Sequence, residues 1–206
     1  GTTGISGVDG SVSAPALTGT DSNTGITFPA ADTIKFSTGG VERMQITNSG
    51  VSGTGISAGK ILQVAQTFKQ DTQSITGAGN TLINGLGTTM TLSNANNKIL
   101  VLLHISFGQS ANNYAHFDLY DGSSAITAAQ STGASTRNSS ITYYVDTEMA
   151  NSYLNFAFNF LYSPNDTNAH TINLYGNPFN TTLYINRSNS TLVYGTSSMT
   201  LMEVAA

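Results

Sequence analysis

The stretch "SYLNFAFNFLY" (residues 152–162) alternates between apolar and amide-bearing side chains along most of its length. One set of alternate positions is apolar throughout, namely Leu154, Phe156, Phe158 and Phe160. Successive side chains of a β-strand point to opposite faces of the sheet, so a period of two is typical of a strand that is buried on one side. The stretch therefore predicts a half-buried strand with an aromatic inner face.

Runs of similar length and period recur through residues 60–206, separated by turns rich in Gly, Asn, Ser and Asp. They are "KILQVAQTF" (60–68), "TTMTLS" (88–93), "KILVLLHISF" (98–107), "AHFDLYDG" (115–122), "ITYYVDT" (141–147), "HTINLYG" (170–176), "TLYINR" (182–187) and "SMTLMEV" (198–204). No long window carries helical spacing with caps. Short strands at such intervals predict an all-β, antiparallel sandwich or barrel, with 98–107 as its central strand.

Residues 1–59 have a different texture and predict an extended, glycine-rich β shaft or attachment segment, followed by a head domain over 60–206. A hairpin is predicted at 33–47, where two alternating runs flank Gly39-Gly40. Its apolar side chains have no cover within the segment, and a hairpin alone in water is marginal. Contact with other copies of the chain is therefore predicted through Ile34, Phe36, Met44 and Ile46.

Composition narrows the classes of partner. The chain of 206 residues has seven Lys and Arg, a net charge of −4 and no Cys. This balance disfavours a nucleic-acid interface, which needs a basic surface. The longest apolar run, residues 99–103, is too short for a membrane-spanning helix, so no membrane insertion is expected.

Three stretches resemble the C-terminal domains of bacteriophage tail and head fibres: "GKILQVAQTFKQDTQSIT" (59–76), "KILVLLHISFG" (98–108) and the final "SSMTLMEVAA" (197–206). Residues 11–47 likewise resemble the repeat that precedes such tips. The resemblance implies a trimeric virion protein with a jelly-roll head similar to C1q and TNF heads. It also implies attachment to other virion proteins through the N-terminal segment, and location in a tail fibre or on the capsid surface.

Two functions within this class stay open from the sequence: a tail-fibre tip that adheres to a host-surface glycan or protein, and a capsid decoration, cement or head-fibre protein. An enzyme that degrades cell-surface polysaccharide is the alternative from another class. Its catalytic signature is missing, because the acidic residues are scattered, and Asp118 and Asp121 lie in a strand that ends in an Asp-Gly turn. We therefore expect no catalytic residue and no cofactor.

The three histidines lie on separate predicted strands and lack metal-ligand spacing, so no metal site is predicted. His116 and Asp118 share one strand face, which fits a strand histidine beside a carboxylate better than a ligand pair.

Loop placement gives the receptor-binding candidates. Successive strands of an antiparallel sandwich alternate in direction, so successive loops alternate between its two ends. A count of the predicted strands places the loops 108–113, 149–152 and 177–181 at one end and the longer loops 131–140, 162–170 and 188–197 at the other. The long-loop end is predicted to point away from the shaft and to carry recognition. The candidates there are Arg137, Asn138, Tyr162, Asn165, Asp166, Asn168, Asn189, Ser190 and Tyr194. Tyr114 is a further exposed-aromatic candidate. Tyr143 and Tyr144, like Phe156, Phe158 and Phe160, are interpreted as core or subunit-contact positions, and the three phenylalanines are predicted trimer contacts.

Overall fold

The structure is a computed structural model that describes residues 9–54, 59–132, 138–146, 152–189 and 194–206. The described residues are almost entirely strands in antiparallel sheets, which confirms the all-β prediction. The chain divides into two compact units. One comprises Gly1–Lys60 with Ala206, and the other comprises Ile61–Ala205.

The first unit is built from short strands that follow one another in an antiparallel meander. They are β1 (Gly10–Ser11), β2 (Ala14–Pro15), β3 (Leu17–Thr18), β4 (Gly25–Ala30), β5 (Thr33–Thr38), β6 (Val41–Thr47) and β7 (Gly50–Ser52). Strands β3 to β7 form one five-stranded sheet in chain order, while β1 pairs with β2. Gly39 and Gly40 turn the β5–β6 hairpin with φ of 60° and 73°, a region that glycine enters without steric cost.

The register of this sheet gathers its apolar side chains on one face. Leu17 pairs with Ile26, Ile26 with Phe36 and Phe36 with Met44, while Ile34 pairs with Ile46 and Ile46 with Val51. The opposite face carries the ion pair between Lys35 and Glu42 at 2.7 Å. None of the apolar side chains described in this unit is buried. The sheet is therefore an amphipathic single layer.

The second unit contains two six-stranded sheets. Its strands are β8 (Ile61–Lys69), β9 (Gln73–Gly77), β10 (Thr81–Leu82), β11 (Thr88–Thr91), β12 (Lys98–Gln109), β13 (Asn113–Asp121), β14 (Ser124–Ala125), β15 (Ile141–Val145), β16 (Leu154–Tyr162), β17 (Ala169–Asn177), β18 (Thr181–Ile185) and β19 (Ser197–Val204). A 3₁₀ turn covers Thr127–Ala129. No helix in the described ranges has the length and apolarity to cross a bilayer.

Strand pairing gives the order of a jelly roll. In the first sheet, β12 pairs with β16 on one side, and β16 forms that edge. On its other side β12 pairs with β19 and β18, which pair in turn with β8 and β9 at the other edge. In the second sheet, β10 and β11 pair with β17, which pairs with β13, which pairs with β14 and β15. The two sheets pack around one core, because the inward residues of β12 and its neighbours are fully buried.

The central and edge strands explain why the sequence pattern predicts this sandwich. In β12, Ile99, Val101 and Leu103 alternate inward with essentially no exposure. In β16, Phe158 lies opposite Leu103 and packs against the same core, but remains half-buried because its strand is at the edge. The inner-face assignment of Phe156, Phe158 and Phe160 is thereby confirmed.

The loop placement is partly wrong. Tyr162 pairs with Ile99 at the start of β12, so the loop that follows β16 lies at the end where β8 begins and β19 finishes. We call this the N-terminal end of the sandwich. The long-loop end is predicted to point away from the shaft, but Val204 pairs with both Lys98 and Ile61, so the loop 163–168 lies at the end where the head domain begins.

The cause is the direction of the last two strands. Strands β18 and β19 pair with successive stretches along the same side of β12 and run in the same direction. The chain therefore does not reverse between these two strands, as the count of alternating strands assumes. Loops 110–112 and 178–180 lie at the other end, which we call the opposite end.

Candidate functional site

Four of the predicted receptor residues meet around a buried histidine at the N-terminal end. His170 Nδ1 lies 2.6 Å from Asp121 Oδ2, and its Nε2 lies 3.1 Å from Asp166 Oδ1. The hydroxyl of Tyr162 donates to the same Asp121 oxygen at 3.1 Å. Asn168 donates its backbone N–H to Asp166 at 2.7 Å, and Asn165 caps the turn by donating to the Ser163 carbonyl.

The ionisable groups of this cluster shift one another's pKa. Burial is the main cause that raises the pKa of Tyr162 to about 12. The hydrogen bond to Asp121 and the charges of Asp121 and Asp166 raise it further. The hydrogen bond from the backbone of Asn168, assisted by His170, lowers the pKa of Asp166. Both ring nitrogens of His170 lie within hydrogen-bond distance of a carboxylate oxygen, so the ring links Asp166 to Asp121. The cluster thereby fastens the loop 163–168 to β13.

The remaining receptor candidates that the structure describes lie on other segments of the chain. Asn138 is exposed ahead of β15, and Asn189 and the exposed Tyr194 lie in the segment between β18 and β19. Arg137 and Ser190 lie outside the described residues. The predicted set is therefore dispersed, and its receptor role stays a prediction.

The histidine–carboxylate pair on β13 is also engaged in hydrogen bonds. His116 Nδ1 lies 3.0 Å from Thr142 Oγ1, whereas Asp118 accepts from Asn80, Gln130 and the backbone of Ser140. Across the described part of the chain, no three His, Cys, Asp or Glu residues are grouped so that they could hold a metal ion.

A set of exposed aromatic rings lies at the opposite end, on the outer face of the second sheet. Tyr114 of β13 and Tyr144 of β15 are direct cross-strand neighbours with ring centroids 5.0 Å apart. Phe179, in the turn after β17, lies edge-on to Tyr114 at 6.5 Å. These three side chains are 45%, 52% and 44% exposed. Of the three, Tyr114 was predicted as exposed and available.

Sequence reasoning missed the other two members of this set. The alternation of "ITYYV" places Tyr143 and Tyr144 on opposite faces. Tyr143 packs on Phe107 in the core, and Tyr144 faces solvent. Phe179 follows Asn177-Pro178 and precedes Asn180. A large apolar residue inside an Asn-Pro-Phe-Asn turn is the signal that could have identified an exposed ring.

The comparisons with known proteins add no relative. No protein-family model matches the chain, and no curated protein matches it either.

Proposed function

We propose that this chain is a structural, adhesive protein of a bacteriophage virion: a trimeric tail-fibre tip that attaches to a host-surface glycan or protein. The virion class rests on the sequence resemblance. The single observation that carries the assembly is that two sheets present apolar faces that the described part of the chain does not bury.

The first such face belongs to the five-stranded sheet of residues 17–52. A sheet with one apolar face is stable in water only when another layer covers that face. The predicted contacts Ile34, Phe36, Met44 and Ile46 all lie on it as paired neighbours across β5 and β6. Equivalent sheets from two further copies of the chain would cover it.

The second face is the outer side of the β12 sheet. Leu161, Leu100, Met202 and Val64 are successive cross-strand neighbours, and they form one apolar row over β16, β12, β19 and β8. Val64 is 59% exposed. At the edge of the same sheet, Phe156, Phe158 and Phe160 are only half-buried. An edge that packs onto the face of the next copy is a heterologous contact, and it closes into a ring when the rotation is one third of a turn.

Binding, not hydrolysis, is the activity we assign. The best-organised ionisable group, around His170, has both of its ring nitrogens occupied by carboxylates. Adhesion requires only aromatic, amide and hydroxyl groups in fixed positions, and the strands and short turns of the sandwich hold such groups in place. A capsid decoration, cement or head-fibre protein would use the same assembly, and the location in the virion separates it from the tail-fibre tip.

Two measurements test the proposal. Light scattering at micromolar concentration is expected to give three times the mass of the 21.5 kDa chain, and a stable monomer would contradict it. Gold-labelled antibodies against the chain are expected to mark the tail tips of virions in electron micrographs. Labelling over the whole capsid surface would instead establish the decoration role.

A further inference from the structure

The exposed rings of Tyr114, Tyr144 and Phe179 form a continuous platform. Beneath them, the nearly buried ring of His116 lies 5.9 Å from both Tyr114 and Phe179, and it stacks on Tyr114 with an interplanar angle of 23°. Two of the rings stand on neighbouring strands of the sheet, so their positions are set by the strand register and not by a flexible loop. The platform is therefore a preformed surface.

Phe179 is held in place at a conformational cost. Its φ of 49° lies in the left-handed region, which is unfavourable for a bulky residue. Asn177 Oδ1 accepts from its N–H at 2.9 Å, and Asn113 Nδ2 donates to its carbonyl at 2.8 Å. Strained, externally supported residues of this kind cluster at ligand sites.

The rings of the platform pack on one another. Their centroids are 5.0 and 6.5 Å apart, so no cage for a cationic group opens between facing rings. What they present outward is a broad surface of aromatic edges and faces, bordered by tyrosine hydroxyls.

We propose that this platform binds a neutral, pyranose-containing glycan. One face of a pyranose ring presents polarised C–H groups, which are complementary in charge to the electron-rich face of an aromatic ring. The tyrosine hydroxyls then meet the sugar hydroxyls at the rim. The three exposed rings belong to tyrosine and phenylalanine, which offer no cationic group to an acidic sugar. The inference rests on the proposed adhesive function and names its surface and ligand class.

The test uses the full chain and an array of neutral and acidic bacterial oligosaccharides. Phe179→Gly removes one ring while suiting the left-handed backbone, and Tyr144→Ala removes a second, exposed ring. The matched control is Tyr175→Ala, which removes a half-buried tyrosine of β17 from the outer face of the same sheet, outside the platform. We expect binding to at least one neutral glycan, weakened about tenfold or more by each platform variant and unchanged in the control.

Equal affinity in the wild type and both platform variants would overturn the inference, as would binding to acidic glycans alone or to no glycan on the array. Adhesion of the fluorescently labelled protein to a panel of bacteria separates this failure from that of the proposed function. Adhesion that survives Phe179→Gly and Tyr144→Ala overturns the platform alone. Absence of wild-type adhesion to every strain overturns the adhesive function and the platform with it.

Discussion

At the scale of single residues, Glu203 shows how this low-charge chain keeps a carboxylate inside. Its side chain is almost completely buried, and it accepts hydrogen bonds from Asn97, from Gln63 and from both the N–H and the hydroxyl of Ser93. Burial alone would raise the pKa, but these hydrogen bonds outweigh it and lower the pKa below the ordinary 4.5. The carboxylate therefore ties the connection before β12 to β19 and β8.

This arrangement predicts an acid-dependent loss of stability. A depressed folded-state pKa stabilises the fold above the pKa of the unfolded chain, and the stabilisation is lost as pH falls through the folded-state value. We expect Glu203→Gln to lower the free energy of unfolding by about 1–3 kcal/mol at pH 7 and by much less at pH 3. Urea unfolding at both pH values measures the difference, with exposed Asp9→Asn as the control. An equal loss at both pH values would contradict the assignment.

A buried ammonium gives the second prediction at this scale. The side chain of Lys69 is fully buried and lies 2.9 Å from the carboxylate of Asp71, which is itself 75% exposed. The hydrogen bond from Lys69, aided by its charge, lowers the pKa of Asp71. Removing only the carboxylate leaves an uncompensated buried charge, whereas an apolar side chain of similar length avoids that cost.

We therefore expect Asp71→Asn to destabilise the protein by about 1–3 kcal/mol. The same substitution made in a Lys69→Met background should cost almost nothing. Thermal unfolding of the two single variants and the double variant completes the cycle. Additive losses would show that the two side chains do not stabilise each other.

At the scale of elements, the sequence predicts those strands in which apolar and polar residues alternate regularly. The strands at 98–107, 153–161 and 198–204 were anticipated to within two residues at each end, because their inward positions are apolar without interruption. The sequence predicts a strand at 114–120 with an extension over 125–130, yet Thr127–Ala129 forms a 3₁₀ turn. Short β9 and β10 carry too few alternating positions to stand out.

What could not be predicted depends on contacts between distant segments. Alternation reveals a strand but not its direction, so nothing local shows that β18 and β19 continue one another along β12. Likewise, the pairing of Tyr114 with Tyr144 and the position of Phe179 beside them follow from sheet register. Of the aromatic platform, only Tyr114 could therefore be identified from the sequence.

The edge strand β16 gives a prediction at this scale. Phe158 faces the core opposite Leu103, and the next residue, Asn159, faces outward. Phe158→Asp removes about 3–5 kcal/mol of packing and places a charge against the core. We expect no folded, soluble protein from it, whereas Asn159→Asp and the loop variant Asn189→Ala should retain the β-sheet circular dichroism spectrum. A folded Phe158→Asp protein would refute the inner-face position.

At the scale of the whole molecule, the question is what covers the apolar row of Leu161, Leu100, Met202 and Val64. Val64 is already largely exposed in the single chain, so Val64→Asp should change the intrinsic stability of the sandwich by no more than about 0.5 kcal/mol. In the proposed trimer, the same change would bury an unpaired carboxylate from every copy at the contact. The effect on mass should therefore be far larger than the effect on fold.

We expect light scattering to show that Val64→Asp shifts the protein from a trimer to a monomer at micromolar concentration, while its circular dichroism spectrum stays that of a β-protein. Thr89→Asp is the matched control, because Thr89 is an exposed strand position in the other sheet and should remain trimeric. A trimeric Val64→Asp protein would exclude this face from the assembly and leave the residues 17–52 sheet as the covered surface. Dissociation of both variants would instead show that the assembly responds to added charge and not to the loss of one apolar contact.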